Sequence, residues 1–261
     1  MELHSSIAHI EREVYKDSVV HRLDGRIKII VALGIILYAV TAPDVIPLLL
    51  LESYLFLLLL LSKLSLRYVM TRILLILPFG GIIALFQPFI RSGVVVYSLP
   101  FGLAITYEGI LFGLLLFFKL IVCVTAIILL SSTTPMQELV GSARRLGLPR
   151  EFALLLGLMT RYLFVFYDAF QRIRTAQKTR CFSIRGKPYK WVLEQIGYTI
   201  GTLFIRAYEQ GEKVYLSMLS RGYNPDSQIY VTEKRIGAQD IAVMTMTFFV
   251  IGCLASLRYW L

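Results

Sequence analysis

Long runs of apolar residues constrain this 261-residue chain more than any other feature of its sequence. A helix that crosses a hydrocarbon layer of about 30 Å needs roughly 20 mostly apolar residues, and its backbone groups must pair within the segment. Hydrophobic residues make up 57% of the chain, and its mean hydropathy is +0.69. We therefore predict an all-α, multi-pass membrane protein with about five transmembrane helices, near residues 27–43, 45–62, 69–90, 108–130 and 239–257.

The distribution of Lys and Arg predicts the side of the membrane on which each loop lies. With a cytoplasmic N-terminus, 24 of the 27 basic residues are inside, Lys119 lies in a crossing, and Arg91 and Arg258 are outside. Cytoplasmic loops of multi-pass proteins carry this excess of basic residues. The net charge of +10 is thus interpreted as a topology signal and as contact with lipid headgroups, not as a nucleic-acid surface. Residues 94–105 are expected to form an outer loop or an interfacial segment.

The polar stretch 131–237 is predicted to be a cytoplasmic region that contains amphipathic helices. Over 204–219, apolar or small residues recur at i, i+3, i+4 and i+7 for four turns, with polar residues on the opposite face. This period is typical of an amphipathic helix at a surface. A weaker stripe of the same kind covers 163–177. We treat 1–261 as a single integral membrane domain.

Small residues and one alternative bear on how the two amphipathic helices are arranged. Gly197, Gly201 and Gly211 favour a close approach, so we expect the helices to cross. In the alternative, 152–167 is a further membrane crossing. That reading is disfavoured, because the segment is short, contains Arg161, and would carry basic residues to the outside.

The sequence lacks the residue patterns of common enzymes and metal sites. It contains no GxxxxGK[ST] loop for nucleotide phosphates and no HExxH zinc motif. Its three histidines all precede the first predicted crossing, and its three cysteines are far apart, which argues against a metal cluster or a disulfide framework. We expect no catalytic residue, no metal site and no cofactor in this chain.

Glu52 lies well inside a predicted crossing. Ionisable residues within the membrane are functional candidates by default. A structural role is favoured over a transport role: either Glu52 pairs with Arg72 or Lys119, or its neutral carboxyl faces the helix bundle.

The stretch "SMLSRGYNP" predicts a helix end at which an arginine is presented. Gly222 suits the left-handed residue that ends a helix, and Pro225 prevents continuation. Arg221 would thus occupy a helix C-terminus, where a cation is favoured by about 0.3–1 kcal/mol through the helix dipole alone. The first amphipathic helix ends similarly, in "IRTAQKTRCF", with Arg180. Two cytoplasmic helices tipped by arginine suggest contacts for two copies of a soluble partner.

Several motifs resemble one transporter family. "DSVVHRLDGRIKI" is similar to a D-S-x-x-H-R-L-D-P-R-x-K motif, with Gly25 in place of the usual proline. "YEGILFG" resembles the start of the family's fourth crossing, and "ARRLGLPREF" its L-R-x-L-G-x-P segment. "EKVYLSMLSRGY" resembles the end of its second coupling helix. On these motifs the chain resembles the transmembrane coupling (T) component of energy-coupling-factor ABC transporters, of the CbiQ type that is associated with cobalt uptake.

The resemblance implies a non-catalytic scaffold with several partners. These would be two copies of ABC-type ATPase subunits, which bind the ATP, a substrate-capturing membrane subunit of the CbiM type, and in some assemblies a small auxiliary membrane subunit. The scaffold would lie in the lipid bilayer of a bacterial or archaeal plasma membrane and would contact no nucleic acid. Cobalt is the expected cargo, with nickel or a vitamin as alternatives. An autonomous membrane transporter that needs no ATPase is the alternative from another class.

The resemblance also assigns the ATPase-coupling residues. In the family, one motif arginine of each coupling helix enters a groove of one ATPase. Carried over to this sequence, those arginines are Arg221, flanked by Ser220 and Gly222, and Arg180.

The first coupling motif departs from the family pattern. Thr179 and Cys181 replace the small residue and the glycine that the family carries beside Arg180. Arg185, which glycine follows directly, is therefore an alternative first coupling arginine.

Overall fold

The computed structural model describes residues 18–98, 104–180, 188–224 and 237–257. The described segments contain nine helices and one pair of short strands. In chain order these are α1 Val19–Arg22, α2 Gly25–Thr41, α3 Val45–Leu61, α4 Leu66–Ile90, β1 Val95–Ser98, β2 Ala104–Thr106, α5 Tyr107–Thr133, α6 Met136–Arg145, α7 Arg150–Thr179, α8 Tyr189–Ser220 and α9 Ala238–Leu257.

The predicted all-α membrane fold is confirmed. Helices α4, α5 and α7, and residues Ala238–Ser256 of α9, are long and apolar enough to cross a membrane, and α3 is a shorter apolar helix. Helices α2, α3, α4, α5 and α9 lie close to the five expected crossings. Where an outer loop was expected, β1 and β2 pair in antiparallel fashion, with Val95 opposite Thr106. Residues 99–103 of that segment lie outside the described residues.

The chain forms two compact units, one within Met1–Gly147 and Glu233–Leu261, the other within Leu148–Thr232. We call the first the membrane unit and the second the helix-pair unit. The single-domain expectation for 1–261 stays a prediction, because compactness of two units does not decide whether they act as one domain.

The core of the membrane unit lies where α2, α3, α5 and α9 meet. Ile35, Leu48, Leu51, Leu55 and Val122 are at most 1% exposed, and they form one continuous apolar cluster. Burial of such side chains stabilises the fold by about 1.5–3 kcal/mol each when the reference is water. The core therefore fixes α3 between its neighbours.

Helix α4 has a different environment. It packs along α5, and at Gly113 of α5 an added side-chain carbon would overlap the Ala84 carbonyl oxygen of α4. Only 6% of the apolar window of α4 is buried. Its remaining faces are therefore available to lipid or to another protein.

The helix-pair unit consists of α7 and α8, which run antiparallel. Near one end Gln177 donates a hydrogen bond to the buried Thr199 hydroxyl at 2.8 Å. At the other end Arg150 donates to the Asn224 carbonyl at 3.4 Å. The helices have 30 and 32 residues, so both are longer than the stripes at 163–177 and 204–219 indicated.

The expected close approach at glycines is wrong. A side-chain carbon added to Gly197, Gly201 or Gly211 would meet no atom within 4 Å. The helices instead touch through longer side chains such as Gln177. A glycine permits close packing but does not require it, and here the space beside each glycine stays open.

The segment 152–167 is the first half of α7. By length and composition α7 is among the helices that could cross a membrane. Its second half, however, carries Asp168, Arg172, Arg174 and Lys178, which are costly at the centre of a bilayer. An amphipathic helix that lies at a surface fits this distribution better than a crossing.

Candidate functional site

The C-terminus of α8 presents Arg221 on a well-defined helix cap. Gly222 has φ +77°, and its N–H donates to the Leu219 carbonyl at 2.9 Å. The Tyr223 N–H donates to the Met218 carbonyl at 3.0 Å. These two bonds make a Schellman motif, in which a left-handed residue closes the last turn. The cap predicted from "SRGYNP" is therefore present and ends the helix at a defined residue.

The side chains at this cap are available for contact. Arg221 and Ser220 are both exposed. The Ser220 hydroxyl donates back to the Ser217 carbonyl at 3.0 Å, whereas the Arg221 guanidinium makes no hydrogen bond within the described segments. A guanidinium has five N–H donors in a planar fork, so Arg221 can bind a carboxylate or backbone carbonyls of another molecule.

The C-terminus of α7 is similar but lacks the glycine cap. The N–H of Arg180 donates to the Ala176 carbonyl at 3.3 Å, and the Thr179 hydroxyl donates to the same carbonyl at 2.9 Å. Both side chains are exposed. Cys181 and Arg185 lie outside the described residues, so the choice between Arg180 and Arg185 stays a prediction.

The two candidate arginines lie at opposite ends of the helix-pair unit. Arg180 follows the last turn of α7, while Arg221 is near the first turn of α7, where Arg150 contacts Asn224. A helix of 30 residues is about 45 Å long at 1.5 Å per residue. The arginines are therefore two separate contact points and not one combined site.

An apolar groove lies between α7 and α8 on the Arg221 side of the pair. Its volume is about 500 Å³. The lining is almost entirely apolar, with Leu154, Leu155, Leu158, Met159, Tyr162 and Phe166 from α7 and Ala207, Val214, Tyr215 and Met218 from α8. Of these, Leu155 and Met159 are more than 60% exposed. Such an apolar surface suits a lipid or a hydrophobic partner surface.

Glu52 does not form the expected ion pair. One of its carboxyl oxygens accepts a hydrogen bond from Thr125 at 3.0 Å, and the other is buried without a partner. Arg72 instead reaches Ser131 at 3.4 Å, and Lys119 donates to the Val40 carbonyl at 2.6 Å. The pairing with Arg72 or Lys119 was therefore wrong, while the role of Glu52 stays a prediction.

The described segments hold no group of three or more His, Cys, Asp or Glu that could bind a metal ion. His21 contacts the Ser18 hydroxyl at 2.7 Å. Cys123 and Cys253 are free. His4, His9 and Cys181 lie outside the described residues.

Sequence reasoning missed a set of polar contacts at the start of α2. The Asp24 N–H donates to an Asp240 carboxyl oxygen at 2.7 Å. The Lys28 ammonium donates to the carbonyls of His21 at 3.2 Å and Thr133 at 2.8 Å. His21, Asp24 and Lys28 belong to the "DSVVHRLDGRIKI" motif, whereas their partners Thr133 and Asp240 lie more than 100 residues further along the chain. The motif therefore marked one side of each long-range contact without showing the other.

Comparison with known proteins agrees with these features. Residues 16–231 match the family described as CbiQ, cobalt transport protein. The chain is 27% identical over 242 residues to an uncharacterized protein of Methanocaldococcus jannaschii, a match that covers 90% of this chain and 82% of that protein.

Two relatives with informative names extend the comparison. The energy-coupling factor transporter transmembrane protein EcfT of Lactococcus lactis subsp. cremoris is 28% identical over 225 residues, covering 81% of this chain and 83% of that protein. A protein of Methanocorpusculum labreanum named as a fused cobalt transport protein, CbiMQ, is 27% identical over 241 residues, covering 86% of this chain but 39% of the fusion.

The family match extends from before α1 to beyond the cap at Arg221, and therefore includes both candidate arginines and every helix from α1 to α8, whereas α9 follows the matched range. The resemblance inferred from the motifs is confirmed by this match. The chain belongs to the CbiQ family of cobalt transport proteins.

Proposed function

We propose that this chain is the non-catalytic coupling subunit of an energy-coupling-factor importer for a transition metal ion, with cobalt as the cargo. The observation that carries the proposal is the exposed arginine at each end of an antiparallel helix pair, in a chain that belongs to the CbiQ family. In this role α7 and α8 transmit the motion of ATPase subunits, which bind and hydrolyse the ATP.

The geometry supports contact with two ATPase copies. Arg180 and Arg221 are separated by about the 45 Å length of α7, so one groove cannot hold both. Each guanidinium would enter the groove of one ATPase subunit and bind carboxylates or carbonyls there. ATP-driven closure of the two subunits would then push on both ends of the helix pair.

A substrate-capturing membrane subunit is the second proposed partner. The apolar groove of about 500 Å³ between α7 and α8 offers a surface that such a subunit would cover. The relative named as the CbiMQ fusion supports a partner of the CbiM type and cobalt as the cargo. Nickel or a vitamin is the alternative cargo, because the described residues hold no group of metal ligands that would select cobalt.

An autonomous transporter is less well supported. Transport through this chain would require polar groups along several crossings. Among the described helices, Glu52 bonds Thr125, and Lys119 is satisfied by a backbone carbonyl of α2. Two such local contacts do not make a polar path.

Co-purification of the ATPase subunits tests the coupling role. We expect Arg221→Ala to reduce the amount of ATPase retained with the detergent-purified chain, because loss of a desolvated arginine anchor costs about 2–4 kcal/mol of assembly. Arg206→Ala is the matched control, since Arg206 is an exposed arginine on the same helix that lies far from the cap. Equal ATPase retention in the two variants would contradict the coupling role.

A further inference from the structure

Both covalent connections between the two units start from elements that meet at the beginning of α2. The first connection follows α6, which ends at Arg145, and the second precedes α9, which begins at Ala238. We call residues 21–28, together with their contacts on α6 and α9, the α2 corner. The contacts below all lie within the membrane unit.

Side chains of helix α6 pack directly against the α2 corner. A side-chain carbon at Gly25 would lie 2.5 Å from the Ser142 hydroxyl oxygen, far inside van der Waals contact. Gly25 is buried, and Ser142 is 6% exposed. The absence of a side chain at position 25 therefore sets how closely α6 packs on α2.

Helix α9 is tied to the same corner by one buried carboxylate. Asp240, which is 6% exposed, accepts hydrogen bonds from the Asp24 N–H at 2.7 Å and from the Gly237 N–H at 2.7 Å. Hydrogen bonds to a carboxylate are roughly twice as strong as those between neutral groups. The first turn of α9 is thus fixed to residue 24.

A buried lysine fixes the third element. Lys28 is 7% exposed and donates to the carbonyl of His21 and to that of Thr133, the last residue of α5. A buried ammonium is costly unless it is hydrogen-bonded, so these contacts hold the end of α5 against the corner. Helix α6 follows α5 after two residues.

We propose that the α2 corner is the anchor through which movement of the helix-pair unit is passed to α2 and α9, with Gly25, Asp240 and Lys28 as positioning residues for energy coupling. Both connections leave from elements held at one buried point, so a displacement that is transmitted along them would reach α2 and α9 together. This inference rests on the proposed coupling function and names the residues of the membrane unit that receive the motion.

The anchor continues into the membrane through side-chain packing. A side-chain carbon added to Gly34 of α2 would lie at van der Waals distance from Phe248 and Ile251 of α9. Thr247 of α9 shares a 2.7 Å hydrogen bond with Tyr54 of α3. A shift of α9 at the corner is therefore passed to the core helices and not absorbed locally.

A compensating pair of substitutions tests the close contact. In the complex with its ATPases, Gly25→Ala introduces the clash with Ser142, and Ser142→Ala removes the hydroxyl responsible for it. The readout is the rate at which Cys253 reacts with the membrane-permeant reagent N-ethylmaleimide, with and without ATP plus vanadate, in a chain whose Cys123 and Cys181 are replaced by Ser. Cys253 lies near the C-terminal end of α9, and the described residues leave its side chain uncovered. Uptake of ⁵⁷Co²⁺ per ATP hydrolysed is measured in parallel.

We expect the unsubstituted complex to show a nucleotide-dependent change in the Cys253 rate, and Gly25→Ala to lose it while ATPase subunits still co-purify. Uptake per ATP should fall about fivefold or more, the low end of typical coupling between sites. Ser142→Ala alone should behave as the parent does, and the double variant should recover both readouts. Failure of the double variant to recover, or no nucleotide effect at Cys253 in the parent complex, overturns the proposal.

A second variant guards against a folding defect. Asp240→Asn keeps the size of the side chain but leaves one of its two N–H partners without an acceptor. We expect this variant to form a complex that hydrolyses ATP but no longer shows the nucleotide-dependent change in the Cys253 reaction rate. If its coupling is the same as that of the parent complex, the proposal is overturned. Failure of the proposed function is distinguishable, because the parent chain would then retain no ATPase before any variant is compared.

Discussion

Tyr54 and Thr247 show how single polar residues stabilise the apolar membrane unit. The Thr247 hydroxyl donates to the Val243 carbonyl at 2.8 Å, so the Tyr54 hydroxyl is the donor in their 2.7 Å hydrogen bond. Thr247 is fully buried, and Tyr54 is 9% exposed. The bond joins α3 to α9 in a region where water cannot replace it.

Tyr54→Phe removes this bond and leaves Thr247 satisfied by Val243. We expect a loss of about 0.6 kcal/mol in stability, the average for hydrogen bonds between membrane helices, and at most about 1.7 kcal/mol. The loss would be seen as a lower midpoint of thermal unfolding in detergent. Tyr107→Phe is the control, because Tyr107 is 56% exposed. Equal midpoints for the two variants would contradict the assignment.

Residue-level predictions from the sequence succeeded where the signal was local. Gly222 followed by Asn224-Pro225 is sufficient to predict the cap, since the bonds that form it join neighbouring residues. The ion pair expected for Glu52 failed, because Thr125 supplies its partner and no periodic pattern marks a threonine on another helix. The Asp24–Asp240 contact was missed for the same reason, as its members are far apart in the chain.

At the scale of elements, the cap of α8 controls the direction of Arg221. Gly222 at φ +77° places Tyr223 over Met218 at the end of the apolar groove, which fixes the last turn. The apolar stripe at 204–219 predicted this end of α8 but not its beginning. In residues 189–203 the apolar and polar residues follow the helical period less regularly. Apolar residues of α8 such as Phe204 (72% exposed) are left uncovered by the described residues.

Gly222→Ala should weaken both the cap and the ATPase contact. An alanine in the left-handed region costs about 1–2 kcal/mol, which we expect as a lower unfolding midpoint and weaker ATPase retention. Gly211→Ala is the matched control within α8, since its added carbon meets no atom within 4 Å and removal of a helical glycine stabilises by about 0.5–1 kcal/mol. A Gly222→Ala midpoint at or above that of Gly211→Ala would argue against the cap.

At the scale of the whole molecule, apolar runs and basic residues were enough to predict the membrane unit. Runs of about 20 apolar residues predict where apolar helices form, and α3, α4, α5 and α9 lie at four of the five predicted crossings as apolar helices. The packing among these helices depends on single contacts that no apolar run identifies, such as Gly113 against Ala84. The orientation remains a prediction from charge, because helices alone do not distinguish the two sides of a membrane.

Cysteine labelling tests that orientation in intact cells. In a variant without native cysteines, we expect Ser92→Cys, before β1, to react with an impermeant maleimide added outside. Lys63→Cys, between α3 and α4, should react only after the membrane is permeabilised, because 24 of 27 basic residues are assigned inside. The reverse labelling pattern would overturn the assigned topology and the coupling role with it.

The antiparallel course of α7 and α8 has a consequence for symmetry. Two helices of 30 and 32 residues that run in opposite directions are related by an approximate dyad, which passes between them and exchanges Arg180 with Arg221. Two ATPase subunits arranged about the same axis would therefore contact equivalent positions of a single polypeptide. Because glycine follows Arg221 and cysteine follows Arg180, the dyad is imperfect, so two identical ATPase subunits bound at these ends would contact chemically different residues.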